Sequence, residues 1–281
     1  MLWITGSNGL LGKSLQRKVQ DRKFVATGRE VDISDLKKVR EFVSENRGIT
    51  HIVNCAAFSM VDAAEKEREE AFRANVVGPD NLGTVANEAG AKLIHISTDY
   101  VFPGNLKRPL TEEDPVGPCN YYGETKLDGE RRALEKGACV IRTSWIFGDG
   151  GKNFVAKLLQ MLQTEKVIRL TDDQWGRCTY APDLAGAILQ MLDCTGLYSY
   201  ANQGVATKYE FGLGMREEAI LLGLPVVTES ILPVPGATFP SPCKRPIYSA
   251  FDTTKIENHV TIRHWRSALR DFLCAQLLAY S

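Results

Sequence analysis

Tyr122 and Lys126 lie four residues apart in the stretch Tyr122-Gly-Glu-Thr-Lys126. On a helix that spacing puts a phenol and an ammonium on one face. A free phenol titrates near about 10, and a neighbouring cation favours its ionised form and lowers that value. Such a phenol can give its proton to a carbonyl oxygen as hydride reaches the carbon, which is general acid catalysis. The lysine can also donate to a nicotinamide ribose. Upstream, Gly6-Ser-Asn-Gly9-Leu-Leu-Gly12 has the spacing to hold a dinucleotide pyrophosphate. Either motif alone is common by chance. Together they point to hydride transfer to or from a carbonyl.

Three further stretches sharpen that reading. Gly6, Gly9 and Gly12 follow an apolar run and open a helical pattern. In such a turn the first glycine permits the bend, the second lets phosphate approach, and the third lets helix meet sheet. The helix start then favours the anion. Ser97-Thr98-Asp99-Tyr100 ends a predicted strand, the edge at which open α/β sheets bind ligands. Thr98 can donate to the substrate oxygen beside Tyr122. At the end of the second strand, Ala26-Thr27-Gly28-Arg29-Glu30 offers Arg29 to a 2′-phosphate and Glu30 to a ribose hydroxyl. Both NADPH and NADH therefore stay open, with a lean to NADPH.

The elements that must carry these groups are legible as an alternation. Leu2–Thr5, Lys23–Thr27, His51–Asn54, Lys92–Ser97 and Ala138–Arg142 are predicted strands. Leu10–Gln20, Leu36–Glu45, Ala63–Ala89 and Tyr121–Glu135 are predicted helices, the third interrupted or bent at Gly78-Pro79. The alternation predicts an α/β fold, a Rossmann-type doubly wound parallel sheet with right-handed crossovers. After residue 143 the rhythm changes. Helices are expected over Asn153–Thr164, Ala181–Leu192, Tyr209–Leu222 and Trp265–Leu278, with strands at Val167–Leu170 and Gly196–Asn202. The segment Pro233–Pro246, with five prolines, marks an ordered loop or a linker to the last helix. The expected division is a cofactor-binding domain over 1–142 and a smaller substrate-binding part over 143–281, closely packed on it.

The 281 residues carry no net charge, so nothing suggests a nucleic-acid surface. No apolar run approaches the ~20 residues of a membrane span, and the chain enters a strand from Met1 without a signal-like segment. Seven scattered cysteines without CxxC spacing, and four histidines not spaced as ligands, predict reduced thiols, a cytoplasmic setting and no metal.

Longer stretches carry a specific resemblance. Asn54-Cys-Ala-Ala-Phe-Ser-Met-Val-Asp62, Ser97-Thr-Asp-Tyr-Val-Phe102, Tyr122-Gly-Glu-Thr-Lys-Leu-Asp-Gly-Glu130 and Arg142-Thr-Ser-Trp-Ile-Phe-Gly148 resemble the dTDP-4-dehydrorhamnose reductase family. So do Asn153-Phe154-Val155, Asp173-Gln-Trp-Gly176 and Arg245-Pro246, which extend the resemblance from Gly6 to about Lys255. It implies NAD(P)H-dependent reduction of the 4-keto group of dTDP-4-dehydro-β-L-rhamnose, so a nucleotide sugar is the expected partner; a homodimer is compatible with it. It assigns catalysis to Thr98, Tyr122 and Lys126. It gives Leu10, Leu11 and Gly12 backbone contacts to the cofactor, and places Asp32 and Ile33 along the adenine and Ala57, Phe58 and Ser59 in the strip along the cofactor after the third strand. Thr98 and Asp99 match sugar contacts, Trp145 the aromatic that covers the sugar, and Asn153, Gln174 and Arg245 the nucleotide side. Ser59 replaces an expected threonine, Cys55 an alanine and Cys178 a proline. Two competing readings share the fold: a nucleotide-sugar epimerase or dehydratase, and a non-catalytic regulatory subunit resembling that of methionine adenosyltransferase.

Overall fold

A computed structural model describes residues 1–19, 21–150 and 153–280. The first half of the chain runs β1 (Leu2–Thr5), α1 (Leu10–Lys18), β2 (Phe24–Thr27), α2 (Leu36–Glu45) and β3 (His51–Asn54), followed by α3 (Val61–Ala64), α4 (Arg68–Phe72), α5 (Gly78–Glu88), β4 (Lys92–Thr98), α6 (Tyr121–Glu135) and β5 (Cys139–Thr143). The second half runs β6 (Ile146–Phe147), α7 (Phe154–Thr164), β7 (Val167–Thr171), β8 (Trp175–Gly176), β9 (Thr179–Tyr180), α8 (Ala181–Gln190) and β10 (Gly196–Tyr200). It ends with β11 (Ala206–Thr207), α9 (Lys208–Leu221), β12 (Ser230–Val234), α10 (Thr254–Glu257) and α11 (Trp265–Tyr280).

Six parallel strands form the main sheet in the order β10-β5-β4-β3-β1-β2. Parallel neighbours need crossovers, and helices supply them. Alternate side chains of each strand enter opposite faces. Ile4, Val53 and Ile94 meet Leu11 and Leu15 of α1 and Leu184 and Ile188 of α8. Trp3, Ile52, Leu93 and Val140 meet Val39 of α2, Leu82 and Val85 of α5, and Ala133 of α6. Burial on both faces explains why β1 reads as a continuous apolar run. The sheet is thus doubly wound, and its order reverses between β1 and β3.

The predicted alternation and the parallel sheet are both present. Residue 143 does not end that sheet: β10 pairs with β5, and α8 covers the face that α1 covers. A second core gathers Leu158, Leu162, Ile168, Phe211, Met215, Trp265 and Phe272 from α7, β7, α9 and α11. Gln20, the predicted end of α1, lies outside the described residues.

The single helix expected over Ala63–Ala89 is broken upstream of Gly78-Pro79. Between α4 and α5 the chain makes a π turn over Arg73–Val77. Pro79 has no N–H for the carbonyl of Asn75, and the wider turn accommodates that loss. The freed carbonyl faces Gly129 of α6, where a Cβ would collide with it. Among the described residues no helix is long and apolar enough to cross a membrane.

Candidate active site

The site lies at the carboxyl edge of the sheet, where β1 and β3 part. Gly6 leaves β1 with φ +63. A Cβ there would stand 2.6 Å from the Ala56 nitrogen, so the two strand-end turns meet as bare backbone. Gly9 caps α1 without any side-chain hydrogen bond, and no acid occupies the first turn. Leu10, Leu11 and Gly12 therefore start a helix whose amide end is left for an anion. Arg29 and Glu30 are exposed beside it. Glu30 accepts from the Gly28 N–H at 2.5 Å. Asp32 accepts from the Ser34 N–H and hydroxyl and pairs with Arg73 at 3.0 Å, and Ile33 is buried against Gly78.

A polar row underlies this edge. Thr5 donates to Asn54 at 2.7 Å, and the Asn54 amide meets His95 Nδ1 at 3.0 Å. The same Asn54 carboxamide accepts from the Ala56 N–H, which turns Ala57, Phe58 and Ser59 across the groove. Asn75 from the π turn pins that strip at both backbone atoms of Phe58 and donates to Thr125 of α6. Burial, then the Lys126 charge, holds His95 well below its ordinary value, so it is a neutral member of the row.

Tyr122 and Lys126 sit on the first turns of α6. Asn120 caps the helix by accepting from the Gly123 N–H at 2.8 Å. Gly123 lets the helix press on the Tyr100 carbonyl, which a Cβ would strike. This brings the Tyr122 phenol to Thr98, the last residue of β4. The Tyr100 ring closes the other side edge-on, with centroids 5.5 Å apart. Buried Glu130 joins α6 to the sheet, accepting from Arg142 at 2.6 Å and from Ser97 at 2.7 Å.

The electrostatics differ from the expectation. Burial pushes the Tyr122 phenol up to about 12, against the lowering effect of the Thr98 hydroxyl. The Lys126 ammonium donates to the Ile96 carbonyl at 2.6 Å. Burial brings Lys126 itself down to about 8. The phenol is a protonated acid at neutral pH. Asp99, also buried, is pushed up to about 6. It accepts from the Ser249 hydroxyl at 2.7 Å and the Thr98 hydroxyl at 3.2 Å.

Beyond Tyr100 two cavities open. The smaller, about 180 Å³, is lined by Tyr100, Trp145, Phe154, Cys178, Lys208 and Arg245. The larger, about 820 Å³, is lined by Gln174, Lys157, Arg169, Asp62 and the proline-rich segment, and shares Phe154, Lys208 and Arg245 with the first. Tyr122 lines neither; Tyr100 connects it to both through Arg245, which donates to the Tyr100 hydroxyl at 3.2 Å. Trp145 holds a left-handed backbone, φ 44, and its indole lies on Gly176. Asn153 caps α7, accepting from the Ala156 N–H and donating to the Gly148 carbonyl. Among the described residues no group of three or more His, Cys, Asp or Glu could hold a metal ion.

The model of the RmlD substrate binding domain matches residues 1–277. The chain belongs to that family. The spore coat polysaccharide biosynthesis protein SpsK of Bacillus subtilis is 36% identical over 277 residues, covering 96% of this chain and 95% of that protein. A dTDP-4-dehydrorhamnose reductase of Streptomyces griseus is 37% identical over 283 residues, covering 95% and 91%. The crystal structure of dTDP-4-dehydrorhamnose reductase from Bacillus anthracis in complex with NADP superposes with a TM-score of 0.90 at 31% identity, covering 98% of each chain.

In this RmlD-family chain the structure brings together Gly6, Gly9, Gly12, Ala57, Thr98, Asp99, Tyr122 and Lys126 on one sheet edge, and sets Trp145 and Gln174 on cavity walls farther out. Several residues at the site escaped the sequence reading. Tyr100 was only part of a matched stretch, Asn75 lay inside a predicted helix, and Lys208 carried no motif. An asparagine on the buried side of a helical pattern was the one signal available for Asn75.

Proposed function

We propose that the protein reduces the 4-keto group of dTDP-4-dehydro-β-L-rhamnose to dTDP-β-L-rhamnose; its Streptomyces griseus relative is named dTDP-4-dehydrorhamnose reductase. The observation that carries this reading is the buried, protonated phenol of Tyr122 beside Thr98 at the strand edge, within a chain of this family. The glycine turn fits a dinucleotide: Gly9 leaves an uncapped helix start and Gly6 keeps the turn below it clear of side chains. Leu10, Leu11, Gly12 and the Ala57–Ser59 strip would hold NADPH or NADH there, with Arg29 and Glu30 at the 2′ position. When bound, the reduced nicotinamide supplies the hydride for C4 of the sugar.

The chain's own groups do the remaining work. Thr98 orients the carbonyl oxygen by donating to it. Tyr122 gives that oxygen its proton. Lys126, buried and held by the Ile96 carbonyl, would orient the ribose. Asp99 holds a sugar hydroxyl, and Trp145 presents an apolar face to the sugar ring and its methyl group. Residues 1–142 mainly serve the cofactor and residues 143–281 the nucleotide sugar, with Gln174 and Arg245 on the nucleotide side and Asn153 acting through the α7 cap. The seven free cysteines fit a cytoplasmic enzyme.

The test is oxidation of NADPH or NADH by purified protein with the 4-keto sugar nucleotide, with the product identified by nuclear magnetic resonance. Folded protein that turns over neither cofactor overturns the proposal.

A further inference from the structure

Lys208 is the first residue of α9, half-buried, at the junction of the two cavities. Its ammonium makes no hydrogen bond or ion pair among the described residues. It rests instead near two aromatic faces, 5.9 Å from the Trp145 ring centroid and 5.7 Å from that of Phe154. A half-buried cation without an anionic partner is costly. Burial, then the Arg245 charge, lowers its proton affinity; Asp173 and Asp99 oppose this only from a distance.

The other cation shared by both cavities is already engaged. Arg245 pairs with Asp62 at 3.1 Å and donates to Tyr100. Around them the larger cleft is lined by Lys157, Arg169 and Lys244 as well, against the single acid Asp62. A chain of zero net charge has thus gathered positive charge in one cleft. The junction is also where a chain of base, phosphates and sugar must narrow to bring the sugar toward Tyr100 and Tyr122. A diphosphate there would meet three free ammonium donors, and charge-assisted bonds of that kind are the strong ones.

We propose that Lys208 grips the diphosphate of the nucleotide sugar at this junction, and so selects a nucleotide-linked sugar over a free one. The assignment rests on the reductase reading and adds to it the residue that sets this specificity.

The experiment is calorimetric titration of Lys208→Met, Lys208→Arg and wild type with dTDP, thymidine and NADPH, alongside steady-state kinetics. Lys208→Met is expected to weaken dTDP by roughly 10- to 100-fold, the range for losing one hydrogen-bonded charge. Thymidine and NADPH affinities should stay within about twofold, KM for the sugar nucleotide should rise more than kcat falls, and Lys208→Arg should recover part of the loss. If the methionine variant does not fold, Lys208→Gln carries the same expectation. Unchanged dTDP affinity overturns the assignment, as does an equal loss of dTDP and thymidine, which would mean that Lys208 merely shapes the cleft. Wild type that reduces the sugar while Lys208→Met keeps its dTDP affinity sinks this assignment alone. Lys208-dependent dTDP binding by a wild type that never reduces the sugar sinks the reductase reading alone.

Discussion

Lys126 donates to the main-chain carbonyl of Ile96 at 2.6 Å, two residues before Thr98 on β4. The amine is thus tied to the strand that carries the hydroxyl partner of Tyr122, and both members of the helical pair are positioned by β4. Burial brings this amine to about 8, below the ordinary lysine value of about 10.4. Between those values the unfolded chain binds more protons than the folded one, so stability should rise with pH across about 8 to 10. Lys126→Met should lack that rise, which amounts to a few kcal/mol, about 3 at most, for a group this buried. Urea unfolding of both proteins at pH 7, 8, 9 and 10 measures the difference. A gap that stays constant over the series would mean that Lys126 does not titrate there.

The protonated phenol carries the second prediction. Tyr122→Phe should lower kcat about 10²- to 10⁴-fold, the usual worth of a general acid. The ring packing on Tyr100 remains, so the melting temperature and the cofactor affinity should hold. Because the phenol lies near 12 and the amine near 8, an alkaline fall in kcat/KM near pH 8 belongs to Lys126. Lys126→Arg, which keeps its charge, should lose that limb even where its rate is poor. Persistence of the limb in the arginine variant would assign it to another group.

Gly9 and Gly12 of the first turn should separate by role. At Gly12 a Cβ would strike the Gly6 carbonyl and stand 2.8 Å from the Ser7 Cα, both backbone. At Gly9 the nearest atom would be the Gly6 oxygen at 3.3 Å, a contact that a small shift relieves. Gly9→Ala should therefore fold with a melting temperature near wild type yet bind NADPH at least about tenfold more weakly, since its Cβ faces the phosphate approach. Gly12→Ala should lose stability outright. Equal melting temperatures for the two variants would contradict this division.

What the sequence disclosed follows from which forces are local. The β1–α1 turn and the α6 face are set by residues within one or two turns of each other, so Gly6–Gly12 and the Tyr122–Lys126 pair were readable. The π turn was not, because its cause is shared between Pro79 in its own segment and Gly129 some fifty positions away. The rise of the Tyr122 phenol was not readable for the same reason: spacing puts an ammonium nearby, but the burial that dominates comes from other elements packed around the ring. Lys208 showed nothing in sequence, since its meaning comes from the meeting of Trp145, Phe154 and Arg245 around it. The resemblance to the family did place Trp145 and Gln174 near a cleft that no periodicity would have revealed.

Asp99 supplies the last prediction. Its buried carboxyl accepts from Ser249 and Thr98, yet burial outweighs both bonds and lifts it to about 6. An unfolded aspartate titrates near about 3.9. Between those values the folded protein binds more protons than the unfolded chain, so this residue's contribution declines as pH rises from about 4 to 6 and stays unfavourable above. Asp99→Asn carries no charge to desolvate and can still accept from Ser249. It should gain on wild type across that window, by up to about 3 kcal/mol, while raising KM for the sugar nucleotide more than for NADPH. Urea unfolding at half-unit steps from pH 4 to 7 gives the first quantity, and initial rates at pH 7 the second. A stability difference with no slope between pH 4 and 6 would show that Asp99 is ionised at ordinary values and that solvent reaches it.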